Sequence, residues 1–204
     1  TKQFVEGRGN GLSYEEASKQ VIQSALISPK FLLRVEVGKQ FPEPYQVSDW
    51  ELASRLSYFL WATMPDEELF DLARKGRLSD PVVLEEQVSR MLMDNKADTL
   101  GNVFAAQWLG FPNVGTRIWI DPIDNPWCTD TLMTAMRDET SMFFMSLIRD
   151  DLPIRNLIDA NFTYVNEELA QTLYQMDGVV GKHMRRVKIS DPNRGGILGQ
   201  ASIL

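Results

Sequence analysis

One cysteine and one histidine in 204 residues exclude much chemistry at the outset. A single thiol forms no internal disulfide, and one Cys with one His is too few for the common zinc patterns. No run of about 18 apolar residues occurs, so the sequence carries no membrane-spanning helix. Positive charge is the scarcer sign: 21 Lys+Arg stand against 28 Asp+Glu, a net charge of −7. Nucleic-acid binding needs a basic surface that displaces counterions from phosphate, and this chain lacks one. Walker A, G-x-G-x-x-G, G-x-S-x-G and H-E-x-x-H motifs are all missing. The first ten residues mix both charge signs with glycine, unlike a secretory signal. What remains is an ordinary globular composition, 44% hydrophobic and 24% charged, long enough for one large domain or two small ones.

Helical signals dominate what is there. Ser13 with Glu16, and Ser48 with Glu51, have capping-box spacing, in which hydroxyl and carboxylate each satisfy an orphaned backbone N–H. Behind the first box Ala17, Val21, Ile22, Ala25 and Leu26 recur at helical spacing, and Pro29 opens a short following helix. Behind the second, a helix from Asp49 to about Ala62 is expected to turn Leu52, Arg55/Leu56, Phe59 and Leu60 inward. Further helices are expected from Met64-Pro65-Asp66-Glu67-Glu68 to near Gly76, from Asp80-Pro81 through Leu92, from about Lys96 to Leu109, from Thr129 or Thr131 to about Arg149, and after Gly195-Gly196. Phe162–Val165 reads as extended, Asn166–Tyr174 as helical, and Arg185–Ile189 as a short strand. Gly110–Cys128, with Pro112, Pro122, Pro126, Trp119 and Trp127, is a long loop of the kind that covers a domain or lines a site. The helices differ in length and capping, which excludes a solenoid. The expected fold is all-α: a compact, non-repeating multi-helix domain with one long Pro/Trp-containing loop and a short extended C-terminal stretch. Apolar residues still accumulate at Leu204 without a cap, so the chain reads as a fragment of a longer protein.

Three charged residues fall where apolar ones are due: Glu36, Arg55 and Glu139. An inward carboxylate needs a partner, because burying a lone charge is very costly. The expectation is that Arg55 pairs with Glu139 or Glu36. These three are also the candidates for a carboxylate-based hydrolase site, against the simpler reading of a buried ion pair that fixes helix register. His183 beside Met184 is a candidate haem ligand, but neighbours in sequence cannot take opposite faces of one iron, and no C-x-x-C-H attachment motif exists. Cys128 stands before a helix and is better read as a packed thiol than a nucleophile. Arg194-Gly195-Gly196 suits an anion site, or more simply a close backbone contact.

Several strings together resemble one family. Ala25-Leu26-Ile27-Ser28-Pro29-Lys30-Phe31-Leu32-Leu33-Arg34-Val35-Glu36 is similar to a short domain of large secreted planctomycete-type proteins. Glu51 to Trp61, Met64 to Leu69, Phe104 to Leu109, Arg137 to Thr140 and Asp159 to Ala170 resemble the helical domain that follows it there. Asp191 to Ser202 resembles the opening of a third, planctomycete cytochrome c-like domain. The resemblance implies a short helical domain at 12–46, a main helical domain at 47–184 and the start of a third at 185–204. It implies a periplasmic or secreted protein of unknown function, with no cofactor in this chain and haem c possible elsewhere in the full-length protein. No catalytic residue is transferred by it.

Three functions follow as expectations. The first is a non-catalytic docking or scaffold domain whose partners are other domains of the same polypeptide or a cytochrome subunit, with Trp119 and Trp127 as interface candidates. The second is a hydrolase acting on a polysaccharide through Glu36 or Glu139. The third is haem-based electron transfer through His183.

Overall fold

The computed structural model describes residues 2–33, 45–117, 120–121, 123–191 and 194–203, and both capping boxes form in it. Ser13 Oγ accepts from the Glu16 N–H at 3.2 Å while the Glu16 carboxylate accepts from the Ser13 N–H at 2.8 Å. Ser48 and Glu51 repeat the exchange at 3.3 and 2.9 Å. Each cap contributes about 1 kcal/mol to its helix. The chain divides into two units, Thr1–Gln46 and Val47–Leu204.

In the first unit α1 (Lys2–Gly9), which no periodicity announced, packs on α2 (Tyr14–Leu26). Phe4 meets Tyr14 edge to face, with ring centroids 5.4 Å apart. α3 (Pro29–Leu32) begins with its proline at the first helical position. Only Ala17 of the expected α2 stripe is buried. Ile22 and Leu26, with Phe31 and Leu32 of α3, are exposed, because so few residues cannot enclose all their apolar side chains.

The second unit starts with α4 (Asp49–Trp61), α5 (Glu67–Arg74) and α6 (Pro81–Met93), packed around Leu60, Trp61, Leu69, Leu78 and Met91. Here the structure corrects the expected face of α4. The buried residues are Ala53, Ser57, Leu60 and Trp61, while Arg55 and Phe59 are exposed. The helix turns so that the Trp61 indole enters the core, where its Nε1–H donates to the Met91 carbonyl at 2.9 Å.

The helix expected from Lys96 to Leu109 is also revised. It is a 3-10 turn (Asn95–Ala97), a π-helix (Leu100–Ala105) and α7 (Ala106–Leu109). Gly101 lets this backbone approach the next helix closely, since a Cβ there would stand 2.5 Å from Ser141 Oγ.

That next helix, α8 (Asp130–Arg149), is the spine of the unit. Met145 joins the α4–α6 cluster. Leu132, Ala135 and Met136 pack with Val165, Leu169 and Ala170. Phe143 and Leu147 pack with Ala160, Phe162 and Ile197. A helix apolar on most of its circumference is one enclosed by its neighbours.

After α9 (Asn156–Asp159), β1 (Phe162–Val165) pairs antiparallel with β2 (Arg185–Lys188), in the register Phe162 to Lys188 through Val165 to Arg185. Between them α10 (Glu167–Leu169) runs into a second π-helix, Ala170–Tyr174, where one α-helix was expected. After Gly195-Gly196 the chain makes a 3-10 turn, Ile197–Gly199, rather than a longer helix. Gly196, at φ 54° and ψ −157°, lies against the backbone of Ile158, and its N–H donates to the Ala160 carbonyl at 3.0 Å. Among the described residues the fold is therefore mostly helical with one two-stranded sheet. Among the described residues no helix is long and apolar enough to cross a membrane.

Candidate functional site

The two π-helices and α8 build the two features that stand out in the second unit. The first is internal. Glu139, on the inward stripe of α8, is 0% exposed. Its Oε1 accepts from Thr163 Oγ1 of β1 at 2.5 Å and from the Tyr174 hydroxyl at 2.6 Å. Tyr174 is the last residue of the second π-helix, and Gln175 after it takes a left-handed conformation that ends the helix. The Ala201 N–H lies 3.2 Å from the Tyr174 hydroxyl and 3.4 Å from Glu139 Oε2. One residue along α8, Thr140 and Ser202 share a buried hydroxyl–hydroxyl bond of 2.6 Å.

Burial raises the Glu139 pKa to about 7, against the lowering effects of Thr163, Tyr174, the Ala201 N–H and the positive charge of Arg194. Tyr174 is driven far above its ordinary value, first by burial and then by the Glu139 charge, so it stays protonated. The Arg194 guanidinium lies over the Tyr174 ring, 4.8 Å from its centroid. Tyr174 and Arg194 also line an open hollow of about 400 Å³ with Lys188, Ser190 and Asp191.

The second feature is on the surface. Phe59 of α4 is 61% exposed, Phe104 of the first π-helix 46% and Trp108 of α7 58%. Phe104 stacks on Trp108 at 6.1 Å and meets Phe59 edge-on at 6.0 Å. Half-buried Phe144 of α8 supports both Phe104 and Trp108, at 6.2 and 6.4 Å. From Thr99 to Thr116 no residue is charged, in a chain that is 24% charged.

The residues named from sequence fall as follows. Arg55 is exposed on α4 and is not among the groups that meet Glu139. Of the two expected pairings, Arg55 with Glu139 does not form, and hydroxyl and backbone donors meet Glu139 instead; Arg55 with Glu36 lies outside the described residues. Glu36 and Trp119 lie outside the described residues. Trp127 is exposed in the turn before α8. His183 is exposed just before β2, whereas Met184 packs against the core of α8 and β1. Among the described residues no group of three or more His, Cys, Asp or Glu is gathered as a metal site. Burial pushes the Cys128 thiol up, away from the thiolate a nucleophile needs.

A hollow of about 440 Å³ beside α8 contains Asp98, Asp138 and Asp150. Asp98 is bound to Arg149 at 2.8 Å and Asp150 to Arg186 at 2.9 Å. Two of its three carboxylates are therefore neutralised, and Glu139 does not reach it. Tyr174, Thr163 and the aromatic ladder were not singled out as a site by sequence. The uncharged run from Thr99 to Thr116 was the one local signal of the ladder.

Residues 47–176 match the model of a family described as PSD4, protein of unknown function (DUF1592). The matched stretch contains Glu139, Thr163, Tyr174 and the whole ladder, while Arg194 and Ala201 lie beyond it. No curated protein and no solved structure matches the chain.

Proposed function

Since the chain belongs to the DUF1592 family, we propose that it is a non-catalytic docking or scaffold domain whose working surface is the ladder of Phe59, Phe104 and Trp108. The observation that carries this reading is a row of three exposed aromatic rings, Phe104 stacked on Trp108 and meeting Phe59 edge-on. Exposed apolar patches of this kind mark interaction sites. Aromatic residues are enriched at the buried centre of interfaces and charge is depleted there.

The uncharged stretch around the ladder also narrows the partner. A charged partner face would lose water without gaining a counter-charge, so the fitting partner presents an apolar, charge-poor surface. The partner in this reading is another domain of the same exported polypeptide, or a cytochrome subunit. Haem c, where it occurs, belongs to that partner and not to this chain. The resemblance to secreted planctomycete-type proteins supports the periplasmic or secreted location and the cytochrome context.

The test places a photo-crosslinking amino acid at position 108 of the full-length polypeptide in its source cell. Crosslinks that map to one apolar surface of a haem-bearing domain or subunit, and that disappear with Phe104→Asp, support the proposal. A folded protein that yields no crosslink at position 108, or yields the same crosslinks with Phe104→Asp, overturns it.

A further inference from the structure

The C-terminal segment 194–203 is held on the helical body by polar contacts that converge on one carboxyl group. Tyr174 and Glu139 receive the Ala201 N–H, the Tyr174 hydroxyl lies 3.5 Å from the Gly199 carbonyl, and Thr140 binds Ser202. Arg194 covers the Tyr174 ring. Two costs oppose this seating. Glu139 is removed from water entirely, and Gln200, 1% exposed, has neither amide atom hydrogen-bonded among the described residues. An unsatisfied buried amide costs about 1–3 kcal/mol, and lifting the segment hydrates both groups at once.

We propose that residues 194–203 form a strap that closes on α8 while Glu139 holds its proton and opens when that proton is lost. The groups that face Glu139 are few. β1 presents the uncharged Thr163, the second π-helix presents Tyr174, and the strap presents Arg194 and the Ala201 N–H. The acids of α10 face elsewhere: Glu167 accepts the Gly181 N–H, and Glu168 accepts from Thr129 and Thr131. The first π-helix, Leu100–Ala105, contains no titratable residue. The hydroxyls of Thr163 and Tyr174 can donate to the carboxylate or accept from the carboxylic acid, so the closed arrangement accommodates the proton. Among the described residues Arg194 is the cation that acts on Glu139. It favours the ionised form, but less than burial disfavours it.

In the closed strap Glu139 titrates at about 7, against an ordinary 4.5 in water. The opening equilibrium then rises roughly tenfold per pH unit between those values and levels off above them. Amide hydrogen exchange of residues 197–203, corrected for the intrinsic pH dependence of exchange, reads this directly. Protection is expected to fall about 50-fold between pH 5 and pH 7.5, and at every pH to stay below that of the α5 and α6 amides, which exchange by unfolding of the body. Glu139→Gln, which keeps an acceptor oxygen and cannot ionise, is expected to hold strap protection constant over the same range. Thr163→Val, which removes a donor to the carboxylate, is expected to move the upper end of the wild-type transition to higher pH. Wild-type strap protection that does not change with pH, or that equals the protection of α5 and α6 at every pH, overturns the proposal. An unmoved profile in Thr163→Val overturns it even if the Gln variant fails to fold.

Discussion

Replacing Gly196 by alanine tests whether the strap is seated as closely as the structure places it. Gly196 sits at φ 54° and ψ −157°, a region that only glycine enters without strain of about 1–3 kcal/mol. An alanine Cβ there would stand 2.4 Å from the carbonyl carbon of Ile158 and 2.5 Å from the carbonyl oxygens of Ile158 and Leu157. These neighbours are backbone, so no side-chain rotation relieves the overlap and the strap must lift. Lifting it breaks the hydrogen bond from the Gly196 N–H to the Ala160 carbonyl. It also exposes Ile197, a side chain whose burial contributes about 1.5–3 kcal/mol. The terms overlap, since a lifted strap no longer holds the strained dihedral, and the expected cost is roughly 3–5 kcal/mol. Gly76→Ala is the control: Gly76 has φ 63° with nothing within 4 Å of its Cβ position, so only the left-handed conformation is penalised, at about 1–2 kcal/mol. Urea unfolding followed by tryptophan fluorescence measures both. A Gly196→Ala variant no less stable than Gly76→Ala would refute the close seating.

Global stability should follow Glu139 with a definite sign. The folded chain keeps this proton up to about pH 7, and ordinary glutamate releases it near 4.5. The Glu139 contribution to stability is therefore complete below pH 4.5, declines as pH rises and levels off above 7, for a total loss of about 3 kcal/mol. Glu139→Gln should lack that slope and be the more stable protein at pH 8; parallel curves for the two proteins would exclude the assignment. A shallower global slope beside a full response of the strap amides is the signature of strap opening before unfolding. Trp61→Phe removes the Nε1–H bond to the Met91 carbonyl and part of a buried ring that lies 4.6 Å from the Lys96 ammonium. The expected loss is about 2–3 kcal/mol in thermal or urea unfolding, and a loss under 0.5 kcal/mol would show that the indole does not anchor α4.

Helix starts were legible because their signals are local. Ser13 with Glu16, Ser48 with Glu51, Asp66, Asp80 and Thr129 each act on an N–H two or three residues away. Helix interiors were less legible where the backbone leaves the α pattern. Lys96–Leu109 and Asn166–Tyr174 keep helical spacing, but each contains a π-helix. Gly101 against Ser141 marks where tertiary contact decides the first of them, a contact that no local window includes. The face of α4 was misjudged for a related reason. Phe59 and Trp61 are both apolar, and the interior takes Trp61, which packs with Leu69 and Met91 and reaches the Met91 carbonyl thirty residues away.

The same reasoning separates what could be foreseen of the two site features. Glu139 was visible as a carboxylate on an apolar stripe, a local contradiction that demands partners. Those partners stand 24, 35 and 62 residues away, and two of them are hydroxyls that carry no charge to advertise the match. Arg55 offered the obvious opposite charge but does not act on Glu139, and neutral donors let the carboxyl group keep its proton where a guanidinium bound to it would have held it ionised. That difference is what makes the site sensitive to pH. The ladder inverts the problem. Phe59, Phe104 and Trp108 have the spacing and chemistry of core residues, and periodicity alone assigns them to the interior. Their helices have a true interior on other faces, filled by Ala53, Leu60, Leu100 and Ala105. The run Leu100–Leu109, with Phe104 and Trp108 on its outer face and no charged residue in it, is apolar on more sides than one core requires, and that surplus is what the proposed docking role would use.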